Sequence, residues 1–491
     1  MVADLDAKKG QYYESETRVT DVSDSEESFR DLVAQEQSHE IKYRTCSWQK
    51  TAALLFSEYI CLAVLSFPWS YSVLGLVPGI LLTIAIAGIV LYTSLILSRF
   101  CLRHPHIRDA CDIGRMLFGG SQWAYNITAV FFLLNNTFIQ ALHVLVGAEL
   151  LNTLTDSAAC TVLFALTASI ACFFVSLPRT LDQLSGLATF SAASTFVAII
   201  LCIIFAGIQS SPAGYVPDTP WPPTVSAWPG ASTTVSYVSA WPARGTSYVS
   251  GMSAFLNITY TLVGQIALPS FIAEMRDPKE FPKALWAVTI AEIVVYTVCG
   301  SLVYLWTGNT YVTAPALGAL QSHYRKIAFS FVIPTILFLG ALYSSITSRF
   351  LFFRIFPNTT SHGHARASSH AHKHTILGWT VWTLIVAATW GGAFVIAEVI
   401  PFFSELLALM SGVFAEWLIF IFWGLAYLQL YPRSTRWSTP LRAAETVFNY
   451  FLILLGAYVL IAGSYTSIES IVISYRTQKF GSAFTCASNA I

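Results

Sequence analysis

Leu65-Ser66-Phe67-Pro68-Trp69 interrupts one long hydrophobic run, and Gly264-Gln265-Ile266-Ala267-Leu268-Pro269 interrupts a second in a similar way. In hydrocarbon every backbone N–H and C=O must be paired, so a helix breaks there only where the break is enclosed by protein or lines a water-filled cavity. The freed amides and carbonyls become ligands, with partial positive charge at half-helix N-termini and partial negative charge at C-termini. Paired breaks of this kind in a polytopic chain point to a binding site for a zwitterion or a coupled cation.

The composition places both runs in a membrane. Of 491 residues 55% are hydrophobic and 11% charged, against roughly 25% charged in a soluble domain. The chain reads as one all-α integral domain over residues 47–470, with a tail at each end. The N-terminal tail, residues 1–46, is polar and carries the acidic cluster Asp21 to Glu27. It cannot bury enough apolar area to offset its ordering entropy, so it reads as a disordered cytoplasmic segment. Residues 471–491 read as the C-terminal tail. Nine cysteines, among them Cys61, Cys172, Cys202 and Cys299 inside apolar segments, show no metal-ligand spacing and read as small hydrophobes. The first apolar run starts near Ala52, so the first helix itself is expected to direct insertion.

With about 20 residues per crossing, eleven helices are expected, near 51–76, 79–101, 123–150, 158–177, 186–208, 249–273, 283–306, 326–350, 375–397, 401–430 and 443–468. Lys and Arg gather on alternate joints, with Arg99, Arg103, Arg108 and Arg115 on one and Arg276, Lys279 and Lys283 on another. The bias places the N-terminus inside and, for an odd helix count, the C-terminus outside. The broken helices are the first and sixth. Because five is odd, a five-helix unit repeated once is inserted upside down the second time, which is the 5+5 inverted repeat with a midplane site. The Pro- and Trp-rich stretch Pro212 to Pro242 reads as a stiff outer loop. The histidines His362, His364, His370, His372 and His374 read as part of a flexible inner loop.

Several strings together resemble the amino acid/auxin permease family, and within it the fungal neutral amino acid permeases. They are Ala63-Val64-Leu65-Ser66-Phe67-Pro68 with Leu74-Gly75-Leu76-Val77-Pro78-Gly79, then Asp109 to Gly114 with Phe118-Gly119, then Gly264-Gln265 with Phe271 to Lys283, and Pro401-Phe402-Phe403. The resemblance covers about residues 48–470. It implies the five-plus-five fold and import of amino acids coupled to protons.

Ser66, Phe67, Gly264, Gln265, Ile266 and Asn135 are the expected substrate-site residues. Backbone amides at the first break would meet an α-carboxylate and carbonyls at the sixth an α-ammonium; a pair of structural proline kinks is the alternative. Glu58, costly to bury in a membrane, is the expected proton carrier, against a neutral glutamic acid bonded to a neighbouring helix. Ser344 and Ser345 are expected to mark a cation site or its vestige, as between the first and eighth helices of the related sodium-coupled fold. Glu292, Glu405, Glu416 and His143 are further titratable residues in apolar stretches.

The expectation is therefore a secondary transporter, not an enzyme, that imports neutral aliphatic or aromatic L-amino acids with protons, or alternatively sodium, as the coupling ion. No cofactor, resident metal or nucleic-acid partner is expected; the partners are the substrate and the bilayer. The expected location is the plasma membrane, with the vacuolar membrane as the alternative. An amino acid sensor of the same fold, or a membrane-embedded metal-dependent enzyme using the histidine loop, are the competing readings.

Overall fold

A computed structural model describes residues 44–105, 107, 109–179, 181–217, 221–227, 236–356, 375–401, 403–476 and 483–486, with the side chains of 181–183, 185 and 415–418 outside that description. The histidine loop, Phe402 and residues 1–43 lie outside the described residues, as does the Glu416 side chain.

Among the described residues nine helices are long and apolar enough to cross a membrane. The interrupted segment Tyr248–Glu274 and the shorter apolar helix Thr161–Val175 bring the transmembrane elements to the expected eleven. Span 1 is α1 (Trp48–Tyr59), a 3-10 turn (Leu62–Ser66) and α2 (Phe67–Leu74). Span 2 is α3 (Leu76–Arg103), followed by the short inner helix α4 (Ala110–Leu117); spans 3, 4 and 5 are α5 (Gln122–Thr155), α6 (Thr161–Val175) and α7 (Leu181–Ile208). An outer loop carries β1 (Thr224–Ser226) paired in parallel with β2 (Tyr237–Ser239). Span 6 is α8 (Tyr248–Thr261) and α9 (Leu268–Glu274), and span 7 is α10 (Phe281–Tyr311). The outer helix α11 (Ser322–Ser330) precedes spans 8 and 9, α12 (Ile333–Ile355) and α13 (Ile376–Val399). Span 10 is α14 (Phe403–Leu409), a π-helical turn (Met410–Ala415) and α15 (Glu416–Leu430); span 11 is α16 (Pro440–Arg476).

The repeat is visible in which helices touch. Adding five to each span number maps the neighbour pattern onto itself. Span 1 packs on span 5 as span 6 packs on span 10; span 3 packs on span 4 as span 8 packs on span 9; span 3 touches span 9 as span 8 touches span 4. Even the loop helices correspond, α4 lying against span 10 and α11 against span 5. Spans 1, 2, 6 and 7 form one packed group and spans 3, 4, 8 and 9 another, joined directly where α1 meets α12. Lipid contributes no hydrophobic drive to helix association, so close approach rests on small residues. Gly412 in span 10 meets the backbone of Gly463 in span 11, where a Cβ would lie 2.6 Å from the Gly463 carbonyl carbon.

Three boundaries differ from the sequence expectation. Both breaks precede their prolines: span 1 breaks at Ile60–Cys61 and span 6 across 262–267, while Pro68 and Pro269 sit in the first turns of α2 and α9. A first-turn proline needs no backbone N–H, so it marks where the second half-helix starts. The expected helix 326–350 is two elements, α11 and α12, with Pro334 in the first turn of α12. Span 11 runs on to Arg476 because Ser474 donates to Glu405 (2.7 Å) and Tyr475 bonds the Val399 carbonyl.

Cys46, at the edge of the expected disordered tail, is paired with the backbone of Met275 and buried. Outside the spans, Asp109 caps α4 by accepting from the Cys111 and Asp112 amides at 2.8 and 3.1 Å. Its burial, with the Asp112 charge beside it, pushes its carboxyl up to about 7.

Reading all nine cysteines as small hydrophobes fails for two of them. Cys160, ahead of span 4, is disulfide-bonded to Cys486 after span 11, whereas Cys61, Cys172, Cys202 and Cys299 are free. Both bonded residues fall on the side that the Lys/Arg count assigns to the outside, where disulfides persist. A membrane-impermeant reductant added to sealed right-side-out vesicles is therefore expected to open this bond and make both thiols labelable. Labelling only after detergent lysis would reverse the assigned orientation.

Candidate functional site

The two breaks meet each other. A Cβ on Gly264 would lie 2.9 Å from Tyr59 Cζ and 3.0 Å from Glu58 Oε1, so only glycine allows span 6 to approach the end of α1 this closely. The Gly264 backbone thus lies against the Tyr59 ring. On the other side, the Tyr296 hydroxyl of span 7 donates to the Tyr59 carbonyl. That carbonyl is among the acceptors that a helix C-terminus leaves open.

Glu58, 5% exposed, is the acidic residue at this junction contributed by span 1. The Tyr343 hydroxyl of span 8 donates to its Oε1 at 2.6 Å, while Oε2 has no hydrogen-bond partner. The bond thus links the two four-span groups. Glu292 of span 7, one turn before Tyr296, is also buried, and its Oε1 has no hydrogen-bond partner. One residue before Glu58, a hydroxyl chain joins spans 1, 5 and 8: Ser57 to Ser191 at 3.3 Å, Ser191 to Thr335 at 3.1 Å, and Thr335 to Thr195.

The other expected site residues are distributed around this junction. Ser66 closes the 3-10 turn, its hydroxyl donating to the Ala63 carbonyl at 2.7 Å. Phe67 is fully buried against Tyr296, with ring centroids 4.9 Å apart. Ile266 is buried in the span 6 break. Gln265 turns toward span 2: its amide nitrogen lies 2.9 Å from the Val90 carbonyl, 2.6 Å from Thr93 Oγ1 and 2.8 Å from Ser94 Oγ. It fastens the break to its neighbour within the same group. Asn135 of span 3 reaches span 6 through the Tyr260 hydroxyl at 3.5 Å. Ser344 faces Thr389 of span 9 at 3.5 Å, and the Ser345 hydroxyl is buried without a partner. Tyr343, immediately before them, makes the contact with span 1. His143 bonds the Ile139 carbonyl of its own helix at 2.8 Å, an interior histidine. Among the described residues no cluster of three or more His, Cys, Asp or Glu could hold a metal ion.

Both sides of the junction are covered. From outside, the turn Ala316–Ala319 between spans 7 and 8 touches the Leu62–Ser66 turn, and the Ala319 carbonyl accepts from the Ala213 amide and the Gln209 side chain. The Pro- and Trp-rich loop closes over the neighbouring ends: the Val77 amide donates to Ala240 O at 3.0 Å and the Ser239 amide to the Tyr304 hydroxyl at 3.0 Å. From inside, the Cys46 amide donates to Glu274 O at 3.0 Å, and the Arg276 amide donates to Cys46 O at 2.8 Å. Arg349 at the inner end of span 8 forms an ion pair with Glu274 at the end of α9, the two side chains being 14% and 3% exposed.

Tyr343, Tyr296, Tyr59 and the Glu274–Arg349 pair were not singled out from sequence. Tyr343 stood beside the nominated Ser344, and Glu274 stood inside the motif after the second break, but no periodicity assigns a partner across 285 or 75 residues.

A multi-pass helical protein whose interrupted spans meet at an enclosed polar junction has the architecture of a membrane transporter. Residues 44–469 match the transmembrane amino acid transporter protein family, and the chain belongs to it. It is 30% identical over 454 residues to the N amino acid transport system protein of Neurospora crassa, covering 92% of this chain and 90% of that one. It is 24% identical over 469 residues to a transmembrane transporter of Gibberella moniliformis, covering 95% and 93%. Among solved structures, Mhp1, a nucleobase-cation-symport-1 family transporter, matches with a TM-score of 0.49 at 12% identity, covering 89% of this chain and 93% of that one.

Proposed function

We propose that this secondary amino acid transporter imports neutral L-amino acids together with protons by alternating access, across the plasma membrane. The observation that carries the reading is the contact of the two breaks at Gly264, Glu58 and Tyr59. The amide end of the Leu62–Ser66 turn offers positive potential for an α-carboxylate, and the carbonyl end of α8 at Thr261 offers negative potential for an α-ammonium. Phe67 and Ile266 add apolar surface beside them, which suits an uncharged side chain. Among the described residues here, no Lys or Arg stands ready to balance a charged substrate side chain. The name of the Neurospora crassa relative supports amino acids as the cargo. Binding of substrate and proton would let spans 1, 2, 6 and 7 rock against spans 3, 4, 8 and 9, opening the inner side.

The test is uptake of labelled L-leucine, L-phenylalanine, L-lysine and L-glutamate into proteoliposomes, first with an inward proton gradient, then with a protonophore, then with sodium instead. Leucine or phenylalanine is expected to accumulate, and the accumulation to collapse with the protonophore. A driving force of 100 mV per charge, about 2.3 kcal/mol, sustains roughly 50-fold accumulation. Uptake that follows sodium, or that favours lysine or glutamate, would replace the corresponding part of the proposal.

A further inference from the structure

Arginines gather where the inner ends of spans 2, 10 and 11 meet. Residues 97–103 and 428–445 hold Arg99, Arg103, Arg433, Arg436 and Arg442 against one carboxylate, Glu445. Four of these arginines converge on the end of α15. Arg103 Nη1 donates to the Leu430 carbonyl at 2.9 Å, while Arg436 donates from Nε to the Tyr431 carbonyl at 2.6 Å and from Nη2 to the Leu428 carbonyl. Those two satisfy carbonyls that a helix C-terminus leaves open. Arg99 and Arg442 instead meet at the Tyr431 side chain: Arg99 Nη1 lies 3.5 Å from its hydroxyl, and the Arg442 guanidinium stands 4.3 Å from its ring centroid. Arg433 is exposed in the same joint, within the helical turn Arg433–Arg436. Glu445 is engaged by Arg442 at 2.9 Å and by the Tyr427 hydroxyl at 3.1 Å.

We infer that this corner binds an anionic phospholipid of the inner leaflet, its phosphate held at Arg99 and Arg442 and its acyl chains lying along span 11. The Lys/Arg count places the joint on the inner side, where the leaflet carries negative charge and basic pockets between helices recognise lipid headgroups. A guanidinium matches phosphate oxygens with paired N–H donors. The apolar surroundings favour a lipid over a soluble anion. Trp437 and Leu441, directly after the arginine turn, are 58% and 71% exposed, and exposed Trp is typical of the headgroup level. Val447, Phe451 and Leu454 continue the exposed apolar surface down span 11 toward the membrane centre. Span 11 is also fastened to span 2 just below the arginines, Asn449 donating to the Tyr92 hydroxyl at 2.6 Å with the Tyr92 and Phe448 rings 5.4 Å apart. A lipid seated here therefore joins span 2, one of the four spans of the first packed group, to the joint between spans 10 and 11.

The experiment reconstitutes the full-length protein in phosphatidylcholine vesicles containing a trace of photoreactive phosphatidylserine, and maps cross-links at Trp437 to Leu441 by mass spectrometry. Unlabelled phosphatidylserine is expected to compete for those cross-links, while added phosphatidylcholine and inorganic phosphate leave them unchanged. Competition by phosphatidylcholine as effective as by phosphatidylserine would mean ordinary boundary lipid, and competition by inorganic phosphate a site for soluble anions; either overturns the inference. Arg99→Gln with Arg442→Gln is expected to weaken phosphatidylserine competition about 25-fold, roughly fivefold for each arginine removed. Arg99→Lys with Arg442→Lys, which keeps both charges, is expected to retain most of it. Should the double glutamine variant not fold, the single Arg99→Gln change at an exposed position is expected to show the fivefold loss by itself. Unaltered competition in a folded glutamine variant would leave these arginines as supports for the end of span 10 and overturn the lipid site.

Discussion

Glu58→Gln is expected to abolish proton-driven accumulation of amino acids while the protein still reaches the membrane. The substitution keeps the side chain's size, and its Oε1 can still accept from Tyr343, which now lies 2.6 Å from the carboxyl. Packing against Gly264 and Tyr59 is therefore preserved, and a folding defect is not the expected outcome. What the amide cannot do is take up and release a proton. Without that exchange the inward gradient does no work on the substrate, and the internal to external ratio should fall from roughly 50-fold under 100 mV to about one. Uptake should also become independent of external pH. A variant whose uptake kept the wild-type pH dependence would remove Glu58 from the coupling mechanism and leave it as a neutral acid bonded to Tyr343.

The fold was legible because a membrane restricts the choices. Long apolar runs can only be helices there, and the odd spacing between two broken ones implies an inverted second half. The exact place of the breaks was less legible, since the eye goes to proline. Pro68 and Pro269 restart helices, and the unwound residues lie before them, at Ile60–Cys61 and around Gly264. The site was legible in part for a related reason. Gly264 and Glu58 stand out by residue type in apolar sequence, and the structure brings them together. Gln265 stands out equally, yet its amide nitrogen turns to Val90, Thr93 and Ser94 of span 2. Residue type alone does not say which way a side chain turns on an unwound segment. Tyrosines were invisible for the opposite reason. In a chain with 22 of them, nothing local distinguishes Tyr343 and Tyr296, whose hydroxyls bind partners in span 1.

Arg349→Ala is expected to open the inner side. The Arg349–Glu274 pair joins span 8 to α9, and Cys46 is held to the same end of α9 by two backbone hydrogen bonds. These contacts fasten the start of span 1 and the end of span 6 to the opposite group at the inner face. Removing one partner of a buried ion pair costs about 3–5 kcal/mol. Opening toward inner water would relieve that cost by hydrating Glu274. A bias of about 3 kcal/mol corresponds to a change of more than 100-fold in the open to closed ratio. Cys46, 1% exposed in the closed arrangement, reports the change directly. In inside-out vesicles its labelling by an impermeant maleimide should accelerate about 100-fold or more in Arg349→Ala, with concentrative uptake lost. The reversed pair, Arg349→Glu with Glu274→Arg, should slow labelling again, since it restores opposite charges across the same gap. Unchanged Cys46 labelling in folded Arg349→Ala would mean that the Arg349–Glu274 pair does not hold the inner side shut.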